Sequence, residues 1–83
     1  TVTTDAGETI PYTKLLLATG GRPRRLGIPG SDLAGIHYLR GIDDVDGIRA
    51  EMAPGKRLVI VGGGYVGLEV ASVAVTAGLE VHV

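Results

Sequence analysis

The sequence predicts an α/β fold with parallel strands, and three observations carry that prediction. Arg57-Leu58-Val59-Ile60-Val61 is a continuous apolar run after one charge, the pattern of a strand buried on both faces. Gly62-Gly63-Gly64 closes it as a tight turn. A helical pattern over Tyr65 to Ala77 follows, and Leu79-Glu80-Val81-His82-Val83 begins another strand. A strand, a helix and a strand in succession imply a crossover unit.

The other elements follow in chain order. Val2-Thr3-Thr4 and Thr9-Ile10-Pro11-Tyr12 flank Asp5-Ala6-Gly7-Glu8, so a small hairpin is expected. Pro11 confines its second arm to an edge or a strand end. Lys14-Leu15-Leu16-Leu17-Ala18 reads as a short strand buried on both faces, ended by Thr19-Gly20-Gly21. Gly21 to Gly35, with Pro23 and Pro29, reads as an extended linker, and Arg22, Arg24 and Arg25 stand together in it. His37-Tyr38-Leu39 suggests a short strand. Val45, Ile48 and Met52 recur at helical spacing behind Asp43, Asp44 and Asp46, acids that suit a helix N-terminus, and Pro54-Gly55 stops that helix. On the second helix Val66, Val70, Val73 and Ala77 form one stripe, with Gly78 just past its end.

Composition narrows the function classes. Glycine supplies 14 of the 83 residues without a three-residue period, which excludes collagen. Eight basic against nine acidic side chains leave a net charge of -1, so no nucleic-acid footprint is expected. There is no cysteine, hence no disulfide or thiolate chemistry in this stretch. His37 and His82 lack partners at metal spacing, and no metal site is expected. The apolar run from Leu58 to Val83 is broken by three glycines and by Glu69, which argues against a membrane span. No signal peptide is read at the start. Because the chain opens on Thr1 and stops within a strand pattern, it is expected to be a piece of a larger protein.

Gly62-x-Gly64-x-x-Gly67 is the motif that carries chemistry. It follows a strand and opens a helix, the context that turns a glycine pattern into a dinucleotide site. Gly62 permits the turn, Gly64 lets a pyrophosphate approach the backbone, and Gly67 lets the helix pack close to the strand. Ala71 keeps that packing small. The amides near Tyr65 and Val66 are first-turn donors aimed at phosphate. The alternative is a glycine turn with a packing role alone. The residue that would separate NAD from NADP falls about 20 residues beyond the first glycine, at or past Val83, and Glu80 is not assigned to it.

Two motifs now resemble one family. Leu15-Leu16-Leu17-Ala18-Thr19-Gly20 is similar to the Ala-Thr-Gly motif that ends the first FAD segment of flavoprotein reductases with two dinucleotide sites. Val59 to Glu69 resembles their NAD(P) fingerprint. Ala18 to Arg25 and His37-Tyr38-Leu39-Arg40 resemble, within that pyridine nucleotide-disulfide oxidoreductase superfamily, the ferredoxin reductases of oxygenase systems, the putidaredoxin-reductase-like group. The resemblance implies a three-layer FAD/NAD(P)-binding, Rossmann-like fold, of which this chain is an incomplete piece. Residues 1–25 would be the end of the first FAD-binding segment and the crossover. Residues 26–83 would be the linker and the N-terminal part of the NAD(P)-binding domain.

The resemblance also implies FAD and NAD(P)H as cofactors, with NAD favoured over NADP, and an iron–sulfur ferredoxin or rubredoxin as electron acceptor in the cytoplasm. It assigns Ala18, Thr19, Gly20 and Arg24 to the flavin side, with Arg22 a weaker candidate. It assigns Gly62, Gly63, Gly64, Tyr65, Val66, Gly67 and Glu69 to the nicotinamide dinucleotide. Tyr65 would cover the flavin face, and Glu69 would meet the nicotinamide carboxamide. No catalytic acid, base or nucleophile is expected. The plain alternatives are a solvated face for the three arginines, a half-buried boundary residue for Tyr65 and a wet helix rim for Glu69. Where relatives often place a Thr as helix cap this chain has Gly41, and where they often have an Asp before the Leu-rich strand it has Thr13. Rival functions are a dithiol, peroxide or oxygen reductase of the same superfamily, a non-enzymatic redox-sensing module, and an inert fragment.

Overall fold

The computed structural model describes residues 1–83. Its elements run β1 (Val2–Thr3), β2 (Thr9–Ile10), α1 (Ile42–Glu51), β3 (Arg57–Val59), α2 (Tyr65–Thr76) and β4 (Glu80–His82). They form two small sheets. β1 pairs antiparallel with β2, with Val2 opposite Ile10 and Thr3 opposite Thr9. β3 pairs parallel with β4, with Arg57 opposite Glu80, Leu58 opposite Val81 and Val59 opposite His82.

The hairpin forms where expected. The Gly7 amide donates to the Thr4 carbonyl at 3.0 Å, with Gly7 at φ 81°. The Glu8 amide donates to the Thr4 hydroxyl at 3.1 Å, so the turn is tied by backbone and side chain together. Pro11 lies just past the second arm.

α1 covers the expected segment. Its first-turn acid Asp44 accepts from the amides of Arg40 and Gly41, both at 2.8 Å, which meets donors that a helix start leaves open. Gly41 is the cap and has no side chain to offer, so Asp44 supplies the capping oxygen. Those two bonds hold the Asp44 carboxyl below its ordinary value of 3.8, with smaller help from the charges of Arg25 and His37. A depressed carboxyl stabilises the fold above its unfolded value and loses that contribution as pH falls below it. Asp44→Asn should therefore lower the melting temperature of the full-length protein near neutral pH. The gap from wild type should narrow as pH drops below 3.8, read by thermal denaturation across that range.

The parallel unit is the best-packed part. The Ile60 amide extends the ladder, donating to the His82 carbonyl at 2.8 Å. α2 ends as expected: the Leu79 amide reaches back to the Ala74 carbonyl and the Gly78 amide to that of Val75, both at 3.0 Å, with Gly78 at φ 84°. Ala74 and Leu79 are the two buried residues, and they sit where α2 meets the sheet. The Gly55 amide donates to the Gly78 carbonyl at 2.9 Å, pinning the turn after α1 to the turn after α2.

Three expectations change. Lys14 to Ala18 forms no strand, and Leu16 is 84% exposed. A strand needs a neighbour to complete its hydrogen-bond ladder, and no segment of this chain lies beside it. His37 to Leu39 forms no strand either; side chains hold it, as described below. On α2 the inward stripe is Gly67, Val70, Ala71 and Ala74, whereas Val66 and Val73 remain exposed. The small residues face the sheet because the helix lies close to it.

Candidate functional site

The glycine turn stands between β3 and α2. Gly62 has φ 115°, a conformation that side chains rarely adopt. A Cβ on Gly67 would collide with the Gly62 carbonyl oxygen and lie 3.3 Å from Ile60 Cγ2, so the helix start rests directly on the strand end. Gly63 and Gly64 face open space, with nothing within 4 Å of an added Cβ. Gly64 caps α2 without a side-chain bond. Backbone bonding begins again at Leu68, whose amide donates to the Gly64 carbonyl at 3.0 Å, which leaves the amides of Tyr65, Val66 and Gly67 without protein acceptors. Free first-turn amides beside glycines with room above them fit an anionic phosphate ester.

Tyr65 opens α2 and is 90% exposed. Glu69, one turn later, lines an apolar groove of about 220 Å3 between the two helices, with Leu39, Val45, Ile48, Met52 and Val70. Its carboxylate is exposed and forms no ion pair.

A second cluster gathers around the Ala-Thr-Gly turn. The Arg40 guanidinium donates through Nη2 to the Thr19 carbonyl at 3.1 Å and through Nε to the Gly21 carbonyl. Gly20, at φ 72°, makes room for it: an added Cβ would stand 2.9 Å from Arg40 Nη2. Close by in the chain, the Arg25 guanidinium lies 4.5 Å above the Tyr38 ring, and the Tyr38 hydroxyl accepts from the Leu26 amide at 3.1 Å. Arg25 is thus engaged, while Ala18 and Arg24 are exposed without a bonded partner. No hydrogen bond or ion pair joins this cluster to the glycine turn.

Sequence reasoning passed over Arg40 as a site residue. No spacing rule announces an arginine that reaches back 19 and 21 residues to two main-chain carbonyls. Glu80 and His82 share the outer strand face as expected, with Glu80 contacting His82 at 2.9 Å and Arg57 at 3.5 Å.

A glycine turn of this build, heading a helix between parallel strands, has the form found in dinucleotide-binding proteins. The chain belongs to the pyridine nucleotide-disulphide oxidoreductase family, whose model matches residues 1–83, and that family has the FAD/NAD(P)-binding Rossmann-like fold. The chain is 52% identical over 79 residues to the ferredoxin–NAD(+) reductase component of the biphenyl dioxygenase system of Paraburkholderia xenovorans, covering 95% of this chain and 19% of that protein. It is 47% identical over 77 residues to rubredoxin–NAD(+) reductase of Pseudomonas putida, covering 93% and 20%. It is 44% identical over 81 residues to the chloroplastic/mitochondrial monodehydroascorbate reductase of Arabidopsis thaliana, covering 96% and 16%. The chain thus spans a fifth or less of the length of these relatives. No solved structure matches it. No helix is long and apolar enough to cross a membrane.

Proposed function

We propose that the chain is part of a FAD-dependent NAD(P)H oxidoreductase that delivers electrons to a ferredoxin- or rubredoxin-type carrier of an oxygenase system in the cytoplasm. The observation that carries this reading is the turn from Gly62 to Gly67, where close helix–strand contact, open glycines and free amides coincide. Residues 1–25 are the end of the first FAD-binding segment and the crossover, and residues 26–83 are the linker and the N-terminal part of the NAD(P)-binding domain. The exposed Leu15, Leu16 and Leu17 support that division, because apolar side chains in a row favour cover by neighbouring strands.

In this reading Gly62, Gly63, Gly64, Val66 and Gly67 receive the nicotinamide dinucleotide, its pyrophosphate facing the first-turn amides of α2. Tyr65 stands at the mouth of the turn and shields the flavin until the nicotinamide arrives. Glu69 binds the carboxamide end. Ala18, Thr19, Gly20 and Arg24 border the FAD. When bound, the flavin takes an electron pair from reduced nicotinamide and releases electrons singly, and the chain's own residues bind and orient the partners.

The test is anaerobic titration of the full-length protein with NADH and with NADPH, followed by addition of candidate carriers. NADH is expected to bleach the visible flavin band at lower concentration than NADPH, and a ferredoxin or rubredoxin to restore it. A protein without flavin, or one that neither nucleotide bleaches, would overturn the reading. Recovery by monodehydroascorbate alone would move the acceptor to the class named for the plant relatives.

A further inference from the structure

Arg22, Arg24 and Arg25 stand within four residues of one another, and the fold treats them differently. The Arg25 guanidinium lies 4.5 Å above the Tyr38 ring. Its charge also acts on the Asp44 carboxyl, which places it on the side of α1. Arg22 and Arg24 are exposed and form no ion pair.

Tyr38 makes the difference. Its hydroxyl accepts from the Leu26 amide at 3.1 Å while its ring carries Arg25, so one side chain grips two consecutive residues. Tyr38 is in turn fastened to α1 through its neighbour. The His37 ring lies against Gly47, 3.7 Å from where a Cβ would stand, and its Nε2 contacts Glu51 Oε1 at 3.0 Å. On the other side of Arg24 stands Pro23, whose ring fixes φ at about −65°. Arg24 therefore sits between a residue with a locked backbone angle and a residue whose side chain is held. We propose that Tyr38 is a positioning residue that sorts the three arginines: it draws Arg25 toward α1, fixes the chain at Leu26, and leaves Arg24 to meet the phosphates of the flavin nucleotide. A guanidinium stacked on an aromatic face keeps its charge, but its reach is used there. Without the ring, Arg25 and Arg24 compete for one anion, and the stretch must be ordered at the moment of binding.

This proposal rests on the flavoprotein reading, and the experiment separates the two. The full-length protein is stripped of flavin and titrated with FAD, with the dissociation constant as readout. Failure of the wild type to take up FAD sinks the functional reading and the proposal with it. With wild type binding, Tyr38→Leu is expected to weaken FAD by about five- to tenfold, the scale of a lost hydrogen bond and a side chain that must be immobilised on binding. Tyr38→Phe keeps the ring and loses the Leu26 bond, so its effect should be smaller. Arg25→Gln keeps that bond and removes the competing charge, and should stay within about twofold of wild type. The deciding measurement is the cycle with Arg24→Gln. In that background Tyr38→Leu should weaken FAD no further, because it acts through Arg24. A role in stability alone would give the same loss in both backgrounds. The KM for NADH should stay within about twofold in FAD-saturated enzyme. Should Tyr38→Leu fail to fold, Tyr38→Phe enters the same cycle. The proposal is overturned if the Tyr38 variants leave the FAD constant unchanged, if their losses add to that of Arg24→Gln, or if Arg25→Gln weakens FAD as much as Arg24→Gln does.

Discussion

Gly67→Ala is expected to destabilise the full-length protein by about 1–3 kcal/mol, against the usual sign of a glycine-to-alanine change in a helix. Alanine ordinarily gains up to about 1 kcal/mol over glycine in a helix, because it freezes less backbone freedom. At Gly67 that gain is outweighed. The added methyl would collide with the Gly62 carbonyl oxygen and crowd Ile60 Cγ2 at 3.3 Å. Ile60 could turn its side chain, but the carbonyl belongs to a turn already at φ 115°, two residues past the last ladder bond at Ile60. Relief requires α2 to move off the sheet, which also loosens Ala74, fully buried about two turns further along the same face. Gly47 in α1 provides the contrast: a Cβ there would meet the His37 ring at 3.7 Å, ordinary contact. Gly47→Ala should be neutral or stabilising by about 0.5–1 kcal/mol. Urea unfolding of both variants checks the pair, and equal effects of the same sign would refute this account.

That contrast also marks what a reader of the sequence could see. The β3-α2-β4 unit was legible because its signals are local: an apolar run, three glycines, a helical period and a glycine at the helix end. The stripe on α2 had the right period and the wrong phase. Branched apolar residues invite burial, yet Val66 and Val73 are exposed while Gly67, Ala71 and Ala74 face the strands. Close approach, not hydrophobicity, selects that face. The segment from Lys14 to Ala18 failed for another reason, since a strand is a property of a pair and its partner lies nowhere in these 83 residues. Arg40 was invisible because its partners are main-chain carbonyls, which every sequence has. Asp44, by contrast, could be read as a first-turn acid, and the structure adds only which amides it holds.

Gly64→Ala is expected to separate binding from folding. Gly64 caps α2 at φ −76° and ψ 175°, which any residue adopts, and a Cβ there meets nothing within 4 Å. Stability should therefore change by no more than about 1 kcal/mol, the scale of a weakened cap. The methyl would project into open space at the start of α2, next in the chain to the free amides of Tyr65, Val66 and Gly67. A pyrophosphate pushed away from them loses hydrogen bonds to a charged group, worth about 1.5–3 kcal/mol each. Loss of one corresponds to roughly tenfold or more in affinity. The KM for NADH should rise by about that factor while FAD content and the visible spectrum stay as in wild type, because the turn at Thr19 to Gly21, which the proposed function sets beside the FAD, is untouched. Gly67→Ala should instead lower stability and raise KM together. Steady-state kinetics beside thermal denaturation distinguishes the two. A Gly64→Ala protein with unchanged KM would mean that the nucleotide does not approach this turn, and the glycines between β3 and α2 would then serve packing alone.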